Sequence, residues 1–141
     1  MLTTKVVAAI DFGTHATGFA WAVINETNKD AKRRRIITNT QWASQPVAYP
    51  KNLTALLFDE EGNVVGWGHD ARKQFHAKRQ SNLVFVSGFK MRLLGTTDPE
   101  TELSLMSGDA ASKTPAHKDP ATLIGLYLEK IYENAVSEIA K

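Results

Sequence analysis

Asp11, Gly13, Thr14 and Gly18 are the residues whose types and spacing could do chemistry. Asp11 closes the apolar run Val6-Val7-Ala8-Ala9-Ile10, so its carboxylate stands at the end of a strand. A carboxylate there can hold a hydrated Mg²⁺. It would repel a bare phosphate, so a metal must lie between the two. Gly13 lets the backbone come close to a ligand, and successive N–H groups in a tight turn form a nest for anions. Thr14 adds a hydroxyl donor, and Gly18 lets the chain leave the turn sharply. The pattern points to metal-dependent phosphate binding. Its bland alternative is a β-hairpin with a glycine turn.

Two other phosphate chemistries can be set aside. No Gly-Lys-Ser/Thr follows the loop, so it is not a Walker A motif. Asp11-Phe12-Gly13 also spells the metal-binding tripeptide of protein kinases. That tripeptide needs a catalytic loop and an ATP lysine upstream, and ten residues cannot supply them. The basic run Lys32-Arg33-Arg34-Arg35 follows Asp30 at a hairpin end and reads as a solvated turn rather than a nucleic-acid contact. His69 and His76 lack partners at metal-ligand spacing. Trp21, Trp42 and Trp67 sit among apolar neighbours and read as packing residues.

The elements that must position the loop follow from hydrophobic patterning. Val6 to Ile10 is a continuous apolar run, rich in β-branched residues, that suits a strand buried on both faces. Phe19 to Ile24 returns as its antiparallel partner. Further strands are expected over 36–42, 54–58 and 64–67, with polar turns at 25–30 and 59–63. Helices are expected over 70–78 and 82–94, the second stopped by Gly95. Residues 96–118 read as an irregular connection. Asp119 and Pro120 then open a helix with apolar residues at three- and four-residue steps from Leu123 to Ile139.

Composition sets the outer limits. The chain has 141 residues, 43% of them hydrophobic and 23% charged, enough for a packed core and against disorder. A net charge of +2 predicts no strong attraction to nucleic acid or membranes. The absence of cysteine excludes disulfides and thiolate metal sites and accords with a reducing, cytoplasmic compartment. The first apolar run is too short for a signal-peptide core or a membrane span.

Several stretches carry a family resemblance. Val7-Ala8-Ala9-Ile10-Asp11-Phe12-Gly13-Thr14 followed by Gly18-Phe19-Ala20 resembles the first phosphate loop of actin-like ATPases, as it opens the heat-shock 70-kDa-type chaperones. It looks closest to their divergent, shorter-tailed branch. Thr54 to Phe58 with Gly66-Trp67-Gly68-His69-Asp70-Ala71-Arg72 is similar to that family's strand, turn and helix start. Phe89-Lys90-Met91-Arg92-Leu93-Leu94-Gly95 is similar to its lysine-bearing helix.

The resemblance implies an α/β fold: the first lobe of a ribonuclease-H-like, actin-like ATPase, a mixed sheet with flanking helices and an inserted small subdomain, here incomplete. Residues 1–45 would form the phosphate hairpin and third strand, 46–118 the inserted subdomain, and 119–141 a helix returning to the lobe. It implies ATP and Mg²⁺ as ligands. Asp11 would hold the metal through water, and Gly13, Thr14 and His15 would contact the β- and γ-phosphates. Lys90 would stabilise charge at the γ-phosphate, with Met91 as the alternative register. Protein clients or co-chaperones would be partners.

Two departures stand out. His15 replaces the family's usual second hydroxyl residue. The second phosphate motif, of Asp-x-Gly-Gly-Gly-Thr type, appears nowhere in the sequence. The reading is therefore an ATP-binding lobe with no turnover as an isolated chain. The alternatives are a non-catalytic scaffold fragment, or a sugar or acetate kinase of the same superfamily, against which the Gly66–Arg72 helix start argues.

Overall fold

A computed structural model describes residues 4–25, 30–77, 82–94 and 118–141. The expected helix end at Lys78, the stop at Gly95, most of the 96–118 connection and the centre of the 25–30 turn lie outside the described residues.

Strands β1 (Lys5–Asp11) and β2 (Ala16–Ile24) form the expected antiparallel hairpin, with Asp11 opposite Gly18. The far edge of β2 carries two short strands, β3 (Ile37–Thr38) beside Ala20 and Trp21 and β4 (Asn52–Leu53) beside Ala16 and Thr17. A second sheet has β5 (Ala55–Phe58) at its centre, flanked by β6 (Val64–Trp67) and β7 (Val84–Ser87). Helix α1 (Gly68–Ala77) covers one face of this sheet, and α2 (Pro120–Ile139) packs against β2 and β6. The protein is thus α/β in content, but every strand pair among the described residues is antiparallel, where a mixed sheet was expected.

All four residues of β5 are buried because helices lie on both sides of it. Leu56 and Phe58 join Val84, Val86, Phe19, Trp42 and the α2 residues in one core. Leu57 and Ala55 point the other way, to Ala71, Phe75 and Phe85. On α2, Leu123, Tyr127, Ile131 and Ala135 form a single buried stripe at four-residue spacing. Asp119 caps this helix by accepting from Thr122 N–H, and Pro120 sits in its first turn.

Helix α1 starts at a position a side chain would not tolerate. Gly68 has φ of 64°, and a Cβ there would collide with the Asn52 side chain. Asn52 is buried, and its Oδ1 accepts from the N–H groups of Leu53 and His69 at 2.9 and 2.8 Å. It therefore joins β4 to the start of α1. Asn52→Ala should cost about 1–2 kcal/mol in a urea unfolding titration, the range for losing a helix cap. A change within error would refute this joint.

Three further expectations fail. Residues 82–94 do not form a helix; 84–87 are a strand and Met91–Leu94 a 3-10 turn. The apolar residues fit a helical step, but Val84, Phe85 and Val86 have the alternation and β-branching that pairing with β5 rewards. Gly88, at φ of 67°, ends the strand. The third strand shrinks from 36–42 to Ile37–Thr38. Finally, β1 is not buried on both faces: all seven of its residues are exposed, Val7 by 53%. Its apolar character reads correctly as strand, but among the described residues no element covers it.

Candidate phosphate-binding site

The turn between β1 and β2 is held from below by two buried hydroxyls. Gly13 N–H donates to Thr17 Oγ1 at 3.3 Å, and Thr54 Oγ1 donates to Gly13 O at 2.8 Å. The two hydroxyls bond each other at 2.8 Å, and Thr54 N–H donates to His15 O at 2.9 Å. Thr54 directly precedes β5, so the second sheet grips the loop of the first. A Cβ on Gly13 would strike Ala16 O, so only glycine closes this turn. Gly13 N–H is thereby used internally. The N–H groups of Thr14 and His15 have no partner among the described residues and remain for an anion.

Tyr127 supports the same floor from α2. It is buried, its hydroxyl donates to Leu53 O at 2.8 Å, and its ring meets Phe12, Trp67 and Phe89. Burial pushes its pKa up to about 12, despite the opposing pull of the Thr17 and Thr54 hydroxyls.

Asp11 stands at the end of β1 with its side chain 70% exposed and pairs with Lys51 at 2.6 Å. Hydrogen bonding to Lys51 lowers its pKa, Lys51's charge adds to that, and Lys90 contributes least. The same pair raises the pKa of Lys51. The linkage to stability follows the depressed carboxylate: the pair helps above the ordinary carboxylate pKa and is lost as pH falls through the lowered one. Exposure to solvent keeps that contribution small.

Lys90 is brought to the loop from a distant part of the chain. Its Nζ donates to Phe12 O at 2.7 Å and lies 5.0 Å from the Phe12 ring centre. Gly88 and the 3-10 turn that follows set this direction. Met91 is 37% exposed and makes no such contact.

Thr14 and His15 line a hollow of about 180 Å³ with Thr54, Arg72, Phe85 and Ser87. Pockets for drug-sized ligands run about 300–1,000 Å³, so this hollow suits a phosphate group rather than a whole nucleotide. Arg72 is a cation that sequence reasoning passed over, as was Lys51. Nothing in the spacing marks either one; Arg72 reaches the loop only because α1 docks on β5. Lys90 lies close enough to Asp11 for its charge to act on the carboxylate, while Thr14, His15 and Arg72 meet at the hollow.

Comparison with known proteins gives one relationship. A stretch of 109 residues, 74% of the chain, is 29% identical to heat shock 70 kDa protein 12B of Homo sapiens. The chain spans 15% of that protein's length. No family model matches, and no solved structure matches. The likeness suggests a relationship with the heat-shock 70, actin-like ATPases.

Proposed function

We propose that this chain is an ATP-binding lobe of a heat-shock 70-like ATPase, and that its β1–β2 turn binds the nucleotide phosphates. The observation that carries this reading is the Lys90 ammonium at 2.7 Å from Phe12 O, one residue from the glycine of the loop. A lysine delivered 78 residues along the chain to a loop with open N–H groups is an arrangement for anions.

Each residue would have a distinct part. The Thr14 and His15 N–H groups would donate to phosphate oxygens, and Arg72 would balance their charge from the far side. Lys90 would place its positive charge where negative charge grows at the terminal phosphate. Asp11 fits Mg²⁺: its side chain is 70% exposed, Lys51 pairs with one carboxylate oxygen, and one carboxylate with phosphate oxygens is a common set for this ion. Among the described residues no cluster of three or more His, Cys, Asp or Glu could hold a metal by itself, so the ion would arrive with the nucleotide. Bound there, Mg²⁺ would neutralise phosphate charge. Turnover would need a second phosphate loop, which the sequence lacks, so the chain alone should bind without hydrolysing. A cytoplasmic setting and protein clients belong to this same proposal.

The test is a titration with Mg-ATP followed by amide NMR. Shifts should concentrate at 13–15 and at Arg72, with affinity in the millimolar range. Lys90→Gln and Asp11→Ala should each weaken binding about tenfold, the scale of a lost charge-assisted hydrogen bond. Shifts elsewhere, or affinity unchanged from the parent chain in both variants, would refute the site. Phosphate release abolished by Asp11→Ala would refute the absence of turnover.

A further inference from the structure

Lys51 is paired with Asp11, yet phosphate binding as described gives it no part. Its Nζ stands 2.6 Å from Asp11 Oδ2, with the lysine side chain 35% exposed. Several neighbours set this meeting up. Lys51 directly precedes β4, whose Asn52 pairs with Thr17 of β2. Gln45 Nε2 donates to Lys51 O at 3.1 Å and fixes the backbone there. Asp11 stands opposite Gly18 in the hairpin register. A Cβ on Gly18 would strike Pro50 O and crowd Lys51 Cγ. The bare glycine therefore lets the lysine stem cross β2 and reach the carboxylate. Lys90, the other lysine whose charge acts on Asp11, is tied to Phe12 O instead.

We propose that Lys51 and Mg²⁺ contest Asp11: the ammonium is the counter-ion of the carboxylate while the site is empty, and it gives up that place when Mg-ATP binds. The inference rests on the phosphate-binding reading of the β1–β2 turn and adds a regulating residue to it. The reason is charge. A bare carboxylate beside the loop repels phosphate, and pairing with Lys51 removes most of that repulsion. A divalent ion held by the same carboxylate repels an ammonium in contact with it, so the two do not share the place. Lys51 thus favours nucleotide without metal and opposes the metal itself. A lysine that simply bound phosphate would favour nucleotide in both forms. The difference is a coupling between two ligands, and it can be measured as one.

The test compares the full chain with Lys51→Met, titrated with ATP in EDTA and with Mg-ATP and followed by amide NMR. Lys51→Met should weaken metal-free ATP about tenfold, the scale of one lost charged contact, and leave Mg-ATP affinity equal or tighter. The magnesium dependence of ATP binding should therefore steepen about tenfold. Lys51→Arg keeps the charge and should behave like the parent chain. In an Asp11→Asn background, Lys51→Met should no longer alter the magnesium dependence, because the contested carboxylate is gone. An equal loss with and without metal would make Lys51 an ordinary phosphate contact. No change in either would make it an ordinary surface ion pair. Each of these outcomes overturns the proposal.

A nucleotide-free measurement separates failure of the exchange from failure of the phosphate site. Trace Mn²⁺ alone should broaden the amides of residues 10–12 more in Lys51→Met than in the parent chain, since the carboxylate is then unclaimed. Equal broadening overturns the exchange even where ATP shifts residues 13–15. ATP that leaves residues 13–15 unmoved overturns the phosphate site, and the Mn²⁺ comparison still decides whether Lys51 and a metal compete for Asp11.

Discussion

Tyr127→Ala is expected to lower the free energy of unfolding by about 3–5 kcal/mol, the range for truncating a buried aromatic residue. Tyr127 is wholly buried and stands between the two sheets. Its ring meets Phe12 beside the β1–β2 turn, Trp67 of β6 and Phe89, at centroid distances of 6.2, 6.1 and 5.9 Å. Removing it leaves a cavity that α2 alone cannot close. Tyr127→Phe separates the ring from the hydroxyl. It should cost about 1 kcal/mol for the lost bond to Leu53 O.

The hydroxyl also gives a pH signature. Its pKa is raised to about 12 in the folded chain from an ordinary value of 10.0. Stability from this group is therefore complete below pH 10 and is lost as pH rises from 10 through 12. Urea titrations across that window should show a steeper alkaline loss in the parent chain than in Tyr127→Phe. Identical alkaline limbs would show that the phenol is not buried as described.

Thr54→Val is expected to cost about 2–3 kcal/mol, because it strands buried polar groups rather than removing them. The hydroxyl holds Gly13 O and Thr17 Oγ1 at 2.8 Å each. Valine fills the same space and satisfies neither. Thr54→Ser keeps the oxygen and should recover most of the loss. Hydrogen exchange read at Gly13, Thr14 and His15 should quicken in the valine variant and return toward the parent rate in the serine variant. Loss of stability with unchanged exchange at the loop would mean that Thr54 packs the core without holding the turn.

Much of the site was legible because it is local. A strand ending in Asp11, a turn that admits only Gly13 and a return at Gly18 are consequences of neighbours within eight residues. The Lys90 segment was legible only through resemblance, and its backbone was misread: a helical spacing of apolar residues conceals the alternation that puts Val84 and Val86 on one side and Phe85 on the other. Phe89 then buries, and the next residue reaches the loop. The partners Lys51 and Arg72 carried no signal, since each is an ordinary surface cation until a loop or a helix start is placed beside Asp11 or Thr14.

By itself, then, the sequence determined the β1–β2 hairpin, the glycine turn that closes it, the β5–β6 pair and the capped helix α2. Each follows from short-range periodicity, caps and glycine stereochemistry. Tertiary structure alone decided that Thr54 and Tyr127 build the floor of the loop and that Lys90 faces it. It also decided that β1, apolar enough for a core, lies open on both faces. Burial is a property of what packs against a strand, and no pattern within seven residues can state it.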